Sequence, residues 1–339
     1  MHDIVVIGGS AGALEGVFTL LESLPHTIDA SLFLVLHAPE SGLALVPRLL
    51  QRHTRLPVRV VASRQPIRRG VLYLAAPDRH LLVQKKGVTA NRGPKQNRFR
   101  PAIDPLFTSA AVAHGPRVVG VLLSGWLDDG VHGLAQVQRA GGIAIVQDPR
   151  EAPVPTLPLN ALEAVRADAI VPVTRMAALL EEVSRSQARP ARRRGRAART
   201  AGNEVRLLRA GPTRIPKRAP SPFTCPECDG ALWETHDEPP DYTCHVGHRF
   251  TATSLLAGQR GVSDTHMWSA VRSLEEQAEL HRRWAAPGRR VRPPDRSRFQ
   301  RHAEALEQRA LILRRILIER QAPGRPPARR SRAAPPHHR

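Results

Sequence analysis

Residues 4–16, IVVIGGSAGALEG, decide the fold of this 339-residue chain. The first four are apolar and β-branched with no polar alternation, which predicts a strand covered on both faces, as in a parallel sheet. A glycine-rich turn follows, and apolar residues then recur at helical spacing from Leu14 to Leu21. Ser10 therefore lies at a strand-to-helix turn, at the sheet edge where open α/β folds bind ligands.

Three interpretations of the turn at 8–12, GGSAG, are open at this point. A dinucleotide-binding turn needs glycine where Ser10 stands, so that fingerprint fails. A nucleophile elbow has the pattern GxSxG, which the turn matches by letter, although the elbow of an α/β-hydrolase comes later in its chain. The third interpretation is a glycine turn whose serine only caps the helix.

Strand and helix patterns continue to alternate as far as residue 183. They predict strands at 31–36, 58–62, 70–75, 118–123, 143–146 and 170–173, a hairpin at 81–90, and helices at 45–52, 107–114, 131–140, 159–164 and 176–183. Such alternation predicts an α/β fold with a doubly wound, mostly parallel sheet, which is a Rossmann-like three-layer arrangement.

Three chemically active side chains follow predicted strands. Ser10 comes after the first strand, His37 after the second, and Asp129 after the strand at 118–123. The carboxyl ends of parallel strands share one edge, so we expect these loops to converge. A serine nucleophile needs an adjacent base, and an imidazole base needs a carboxylate to orient it. Singly, His37 could be a core histidine and Asp129 a turn residue.

The formal charge of +21 suggests nucleic acid, but its distribution argues otherwise. Residues 184–219 carry eleven Arg and one Lys against one Glu, and residues 321–339 carry five Arg and no acid. Neither segment has apolar periodicity, so we expect a disordered linker and tail. We do not expect nucleic-acid binding.

The chain shows no signal segment and no apolar run long enough to span a bilayer. We therefore expect a cytoplasmic protein with no membrane insertion. All three cysteines fall between residues 225 and 244, which is too few for a disulfide framework.

The cysteines form a metal-binding pattern instead. Cys225 and Cys228 are spaced as CxxC, and Cys244 and His248 follow sixteen residues later, which suits tetrahedral Zn²⁺ in a structural site. His245 is the substitute fourth ligand. A closed site of this kind folds a module too small to have its own core.

Two amphipathic helices are predicted beyond the metal pattern. Apolar residues recur helically across 267–284, prolines interrupt the pattern, and a heptad stripe runs from Phe299 to Leu317. We expect a helical hairpin that packs on itself, on the zinc module, or on a second copy of the chain.

Residues 1–183 contain seven distinctive segments. They are IGGSAG around Ser10, LVLHAP around His37, LYLAAPDRH at 72–80, RPAIDPLFTSAA at 100–111, VLLSGWLDDGVHGL at 121–134, AGGIAIVQDP at 140–149 and LPLNALEA at 157–164. With these segments in this order, residues 1–183 resemble the catalytic domain of the chemotaxis receptor methylesterase family, CheB. The family consists of serine hydrolases that cleave methyl esters of receptor glutamates and can deamidate glutamines.

The resemblance implies a role for each matched residue. Ser10 would be the nucleophile, His37 the general base and Asp129 its orienting acid, with no cofactor needed for catalysis. Oxyanion donors are expected at Ala11 and at Trp126, which stands where the family usually has Met. Asp128 falls at a position where the family usually has Asn, and we do not place it in the triad.

The expected protein is a stand-alone member, because the catalytic strand begins at residue 4 and leaves no room for the family's phospho-receiver domain. The metal module resembles the ribbon that follows some stand-alone members. We predict five segments: the methylesterase domain at 1–183, the linker at 184–219, the zinc module at 220–260, the helical hairpin at 261–320 and the tail at 321–339.

The resulting hypothesis is a methylesterase that acts on the cytoplasmic helices of methylated chemoreceptors or on a similar methylated protein. The alternative is a non-catalytic scaffold that binds partners or nucleic acid through its basic segments. A nicotinamide or flavin protein is a third, more distant possibility.

Overall fold

The computed structural model describes residues 1–37, 45–188, 202, 205, 219–235, 241–286 and 293–321. Most of the predicted linker and nearly all of the predicted tail lie outside these described residues. The chain divides into two compact units, Met1–Gly258 and Gln259–Arg339.

The first unit is built on a seven-stranded sheet in which every described pairing is parallel. Its strands lie in the order β3-β4-β2-β1-β7-β8-β9. They are β1 (Ile4–Gly9), β2 (Ser31–Leu36), β3 (Val58–Val61), β4 (Leu72–Ala75), β7 (Val118–Leu122), β8 (Ile143–Gln147) and β9 (Ala169–Val171). The predicted doubly wound α/β fold is confirmed.

Helices cover both faces of this sheet. They are α1 (Ala13–Ser23), α2 (Val46–Arg52), α3 (Ile103–His114), α4 (Val131–Arg139), α5 (Thr156–Ala164) and α6 (Val173–Arg185). In β1, Ile4 and Val6 join the core cluster beneath α3, α4 and α5, while Val5 and Ile7 join the cluster beneath α1 and α6. Alternate side chains of a strand point to opposite faces, so one apolar run fills two cores.

The order of the strands places a crevice at β1. From β1 the chain builds outward to β2, β4 and β3 on one side, and to β7, β8 and β9 on the other. The direction of winding therefore changes between β1 and β7. In open α/β sheets, ligands bind outside the carboxyl ends of the strands at such a switch point.

Two smaller sheets complete the first unit. The strands β5 (His80–Gln84) and β6 (Gly87–Asn91) form the predicted hairpin. A three-stranded antiparallel sheet consists of β10 (Leu232–Glu234), β11 (Asp241–Cys244) and β12 (Arg249–Thr251). Its small core includes Cys225, Cys244 and Phe250.

Two long helices, α7 (Ala252–Ala285) and α8 (Pro293–Gln321), follow the small sheet. Within the second unit they pack on each other: Val271 contacts the cluster formed by Ala310 and Leu317, and Ala278 joins a cluster with Ala303. The predicted helical hairpin is therefore present. Among the described residues, every helix falls short of the length and apolar character that crossing a membrane requires.

Candidate active site

The turn after β1 places Ser10 at the carboxyl edge of the sheet. Its backbone N–H donates to the carbonyl of Ser124 (2.9 Å), which ties the turn to the loop after β7. Gly12 has a φ of 72°, a left-handed conformation that favours glycine. In the described turn, helix α1 has no side-chain cap. The interpretation of Ser10 as a helix cap is therefore wrong.

His37 follows β2 directly and faces Ser10. Its backbone N–H donates to the carbonyl of Gly9 (3.1 Å), which continues the strand pairing by one residue. Its Nδ1 lies 3.2 Å from Oγ of Ser10. The ring of Phe99 stacks on the imidazole, with centroids 3.6 Å apart and planes 11° from parallel. This stacking fixes the plane of the imidazole.

Asp129 lies behind His37 and is almost fully buried. Its Oδ2 is 2.9 Å from Nε2 of His37 and accepts the backbone N–H of Ile103 at 2.6 Å. Its Oδ1 accepts Nδ2 of Asn97 at 3.0 Å and the N–H of Asp104 at 3.3 Å. The two backbone donors open helix α3, where N–H groups lack partners within the helix and the dipole favours an anion.

Two neighbouring carboxyl groups have opposite pKa shifts. Burial alone would raise the pKa of Asp129, but the hydrogen bond and charge of His37 and the N–H of Ile103 outweigh it, and the pKa is lowered. Burial, followed by the charge of Asp129, raises the pKa of Asp104 to about 7. Asp129 is therefore the carboxyl group that is held ionised behind the imidazole.

The three side chains form a continuous chain of contacts from Ser10 through His37 to Asp129. The imidazole uses Nδ1 toward the serine and Nε2 toward the acid, the reverse of the chymotrypsin arrangement. Either nitrogen accepts a proton when the other is held protonated by a carboxylate. The contact between Nε2 and Asp129 is short but falls outside ideal hydrogen-bond geometry, and catalytic hydrogen bonds of this kind commonly tighten only when substrate binds.

The two predicted oxyanion donors flank Ser10. Within the described part of the chain, neither the backbone N–H of Ala11 nor that of Trp126 donates a hydrogen bond to another residue. The loop before Trp126 touches the nucleophile, because a Cβ added to Gly125 would lie 2.8 Å from Cβ of Ser10. The side chain of Trp126, the next residue after Gly125, is 62% exposed.

Three residues that contact the site were not singled out from the sequence: Asn97, Phe99 and Asp104. Asp104 was visible within the motif RPAIDPLF, and its Oδ1 accepts the N–H of Gly130 (3.0 Å) and of Gly133 (2.7 Å). It therefore holds the loop that carries Asp129. Asn97 and Phe99 lie in an irregular segment that has no periodic pattern.

Asp128 stays outside the contact chain, as expected. Burial raises its pKa to about 6, and no contact joins it to His37 among the described residues. The adjacent Asp129 provides the carboxylate that faces the imidazole.

The predicted metal ligands also come together. The ligand atoms of Cys225, Cys228, Cys244 and His248 all lie within 4.8 Å of one another. Three of the separations are 3.5, 3.7 and 3.7 Å. A tetrahedral ion with Zn–S bonds of about 2.3 Å spaces its ligands roughly 3.7 Å apart, so the donor set fits. The substitute ligand His245 lies outside this cluster, against Gly230.

Known proteins are similar in fold and sequence to the N-terminal half of the chain, which lies within the first unit. The model of the CheB methylesterase family matches residues 5–180. The crystal structure of the Thermotoga maritima CheB methylesterase catalytic domain superposes with a TM-score of 0.51 at 28% identity, covering 53% of this chain and 98% of that one.

Named relatives agree with this match. A protein-glutamate methylesterase/protein-glutamine glutaminase 2 of Anaeromyxobacter dehalogenans is 33% identical over 183 residues, 54% of each chain. A Leptospira interrogans protein, described as a candidate for the same two activities, is 31% identical over 179 residues, which are 52% of this chain and 93% of that protein. The family model spans more than half of this sequence, and the chain belongs to the CheB methylesterase family.

Proposed function

We propose that this esterase hydrolyses methyl esters of glutamate side chains, with Ser10, His37 and Asp129 as its catalytic triad. The observation that carries the proposal is the chain of contacts from Ser10 Oγ to His37 (3.2 Å) and from His37 to Asp129 (2.9 Å). It lies at the switch point of the sheet in a member of the CheB methylesterase family. Hydrolysis of glutamine side chains to glutamate is part of the same proposal.

The first half of the reaction forms an acyl-enzyme. Oγ of Ser10 attacks the ester carbonyl carbon while Nδ1 of His37 takes the hydroxyl proton. The backbone N–H groups of Ala11 and Trp126 stabilise the negative charge that develops on the carbonyl oxygen. The tetrahedral intermediate then breaks its bond to the methoxy group, and His37 returns the proton so that methanol leaves.

The second half regenerates the enzyme. Water attacks the acyl carbon as His37 accepts its proton, the bond to Ser10 Oγ breaks, and the proton passes back to Ser10. Glutamate is the product. Asp129 remains ionised throughout, because its pKa is lowered by His37 and by the N–H of Ile103. With glutamine, the same steps release ammonia.

The proposed substrates are methylated glutamates on the cytoplasmic helices of a chemoreceptor or a similar protein, which places the enzyme in the cytoplasm. The exposed Trp126 offers an apolar surface beside Ser10 for a helix that presents such a side chain. A non-catalytic scaffold is not favoured, since it would not need three aligned residues and the relatives carry enzyme names.

The Cys225, Cys228, Cys244 and His248 cluster would hold Zn²⁺ in a closed site. Four protein ligands leave no open position, so the ion would supply folding energy to residues 220–260 and take no part in the reaction. We retain the five-segment organisation, with 1–183, 184–219, 220–260, 261–320 and 321–339 as its boundaries, as part of the proposal. Self-association through the C-terminal helices is likewise a proposal.

Methanol release from methylated chemoreceptor tests the function. Ser10→Ala should abolish release, because no other hydroxyl replaces the nucleophile. The matched control is Ser23→Ala, since the Ser23 hydroxyl bonds only to the carbonyl of Thr19 on an exposed helix face. A Ser10→Ala enzyme that releases methanol at the wild-type rate contradicts the proposal.

A further inference from the structure

The segment at residues 95–99, here called the bridging loop, contacts two members of the proposed triad. Phe99 stacks on the imidazole of His37. Asn97 is 4% exposed, and its Nδ2 donates to Oδ1 of Asp129 (3.0 Å) and to Oδ2 of Asp104 (2.8 Å). The bridging loop therefore holds the base from one side and the acid from the other.

The same loop is bonded to the metal-binding turns. Nε2 of Gln96 donates to the carbonyl of Gly247 (3.1 Å), and the N–H of Asn97 donates to the carbonyl of Arg249 (2.8 Å). These two carbonyls flank the ligand His248. On the other turn, Nζ of Lys95 pairs with Oε2 of Glu227 (2.9 Å) between the two cysteines of the CxxC pattern.

The amide of Asn97 has its full set of partners. Its Oδ1 accepts Oγ of Ser254 (3.0 Å) and the N–H of Thr251 (3.3 Å), both on the metal-module side. Its two N–H groups go to the two carboxyl groups. If the amide were rotated by 180°, its oxygen would face the carboxyl groups of Asp129 and Asp104, and its NH₂ group would face the donors of Ser254 and Thr251. The metal module therefore fixes which way Asn97 faces.

A bound metal would determine the shape of this contact surface. Cys244 and His248 are four residues apart, and the turn between them carries the carbonyl of Gly247. Since the core of the small sheet holds few residues, a bound metal would supply much of its rigidity. Without the ion, the partners of the bridging loop would no longer be held in place.

We propose that residues 225–235 and 241–254 are a positioning element for Asp129, acting through Asn97, so that metal occupancy of the cysteine and histidine cluster sets the rate of the esterase. This inference rests on the proposed function. Asn97 is a positioning residue, because it touches the acid and no reacting atom. The metal acts at a distance and stays outside the reaction.

The test uses the full chain and a fluorophosphonate probe that labels activated serines. Asn97→Gly keeps the backbone bond to Arg249 and tolerates the φ of 50° at this position. Labelling of Ser10 should slow by about ten- to a hundredfold, the effect expected from one lost hydrogen bond to a charged group. The pH below which the labelling rate falls should move to a higher value, because Asp129 loses a hydrogen-bond donor that favours its charged form.

Ser254→Ala removes one of the two module-side partners of Asn97 Oδ1, together with the bonds between the Ser254 hydroxyl and Thr251, and leaves the Thr251 N–H in place. Labelling should slow by roughly two- to tenfold, as for a lost neutral hydrogen bond. The matched control is Ser269→Ala on the same helix, whose hydroxyl bonds to its own helix at Thr265. This control should label at the wild-type rate.

Metal removal completes a thermodynamic cycle. Chelation should slow labelling of the wild type, and added Zn²⁺ should restore it. In Asn97→Gly, chelation should have little further effect, because the side chain through which the module acts on Asp129 is already missing. A metal that merely stabilises the fold would slow both proteins equally, and that additive result overturns the proposal.

Hydrogen exchange in the Ser10→Ala protein separates this inference from the proposed function. Metal removal and Ser254→Ala should each speed exchange in the segment 95–104. If wild-type Ser10 resists the probe but exchange responds, the proposed function fails and the positioning element stands. If neither metal removal nor Ser254→Ala changes exchange, the positioning element is refuted.

Discussion

Replacing Asp129 by Asn probes the acid of the proposed triad with little change in shape. The two carboxylate oxygens serve four donors: the N–H of Ile103 (2.6 Å) and Nε2 of His37 (2.9 Å) on one, and Nδ2 of Asn97 (3.0 Å) and the N–H of Asp104 (3.3 Å) on the other. An amide has one oxygen. In either orientation its NH₂ group must therefore face two donors.

The two orientations have different consequences for catalysis. If the NH₂ group faces His37, the imidazole is left with its proton on Nδ1 and cannot take one from Ser10. If the oxygen faces His37, the tautomer survives but the negative charge behind it is lost. Losses near 10⁴-fold accompany the wrong tautomer in the chymotrypsin triad, so we expect a decrease of about 10³- to 10⁴-fold, or roughly 4 to 5.5 kcal/mol.

Stability should change less than activity. Two unmade hydrogen bonds at a buried site cost about 1 to 3 kcal/mol each. Removing the charge of Asp129 offsets part of this, because that charge helps to raise the pKa of Asp104. We therefore expect a folded variant that is destabilised by about 2 to 4 kcal/mol.

The assay compares the rate of fluorophosphonate labelling with the free energy of unfolding in urea. Asp168→Asn is the matched control, because Asp168 also accepts a backbone N–H, that of Ala144 (2.9 Å), away from the site. It should label at the wild-type rate. A folded Asp129→Asn protein that labels within tenfold of the wild type would refute the assigned role of the acid.

Three further predictions concern the charge, the geometry and the metal. The pKa of Asp104, raised from 3.8 to about 7, means that the folded chain binds more protons than the unfolded one. Its contribution to stability is therefore full below about pH 4 and is lost as the pH rises through about 7, and Asp104→Asn should flatten this slope in urea titrations between roughly pH 4 and 7. Gly125→Ala should slow labelling on the order of tenfold or more, since its Cβ would press on the nucleophile at 2.8 Å, whereas Gly16→Ala, with a nearest contact of 3.3 Å on helix α1, should not. Native mass spectrometry should find one zinc ion per chain, lost in Cys225→Ser and kept in His245→Ala, and retention of zinc in the former would contradict the ligand set.

The sheet could be predicted from the sequence because its strands are short apolar runs. β2 begins and ends where the pattern places it, at Ser31 and Leu36. Helix α3 begins at Ile103, four residues before the predicted start, although Asp104 and Pro105 in its first turn are typical of a helix N-terminus. Helix α7 begins at Ala252, well before the predicted residue 267, because its first half lacks an apolar stripe.

The convergence of Ser10, His37 and Asp129 could be predicted from the sequence for a physical reason. Parallel strands bring their carboxyl ends to one edge, so residues after different strands must converge. The metal ligands could also be predicted, because they lie close together in the sequence at a spacing typical of zinc sites.

The contacts of Asn97 could not be predicted from the sequence. The bridging loop has no periodicity, and its partners at Arg249 and Ser254 lie more than 150 residues away in the chain. Docking between two modules depends on surface complementarity that a single sequence does not display. The link between the metal module and the acid therefore emerges only from the structure.

The most direct test of the central claim is to locate the serine that a fluorophosphonate modifies. We predict that mass mapping places the adduct on Ser10 in the wild type, and that Ser10→Ala and His37→Ala both remain unlabelled. A folded wild-type protein with no adduct at Ser10, or one labelled as fast without His37 as with it, would contradict the account.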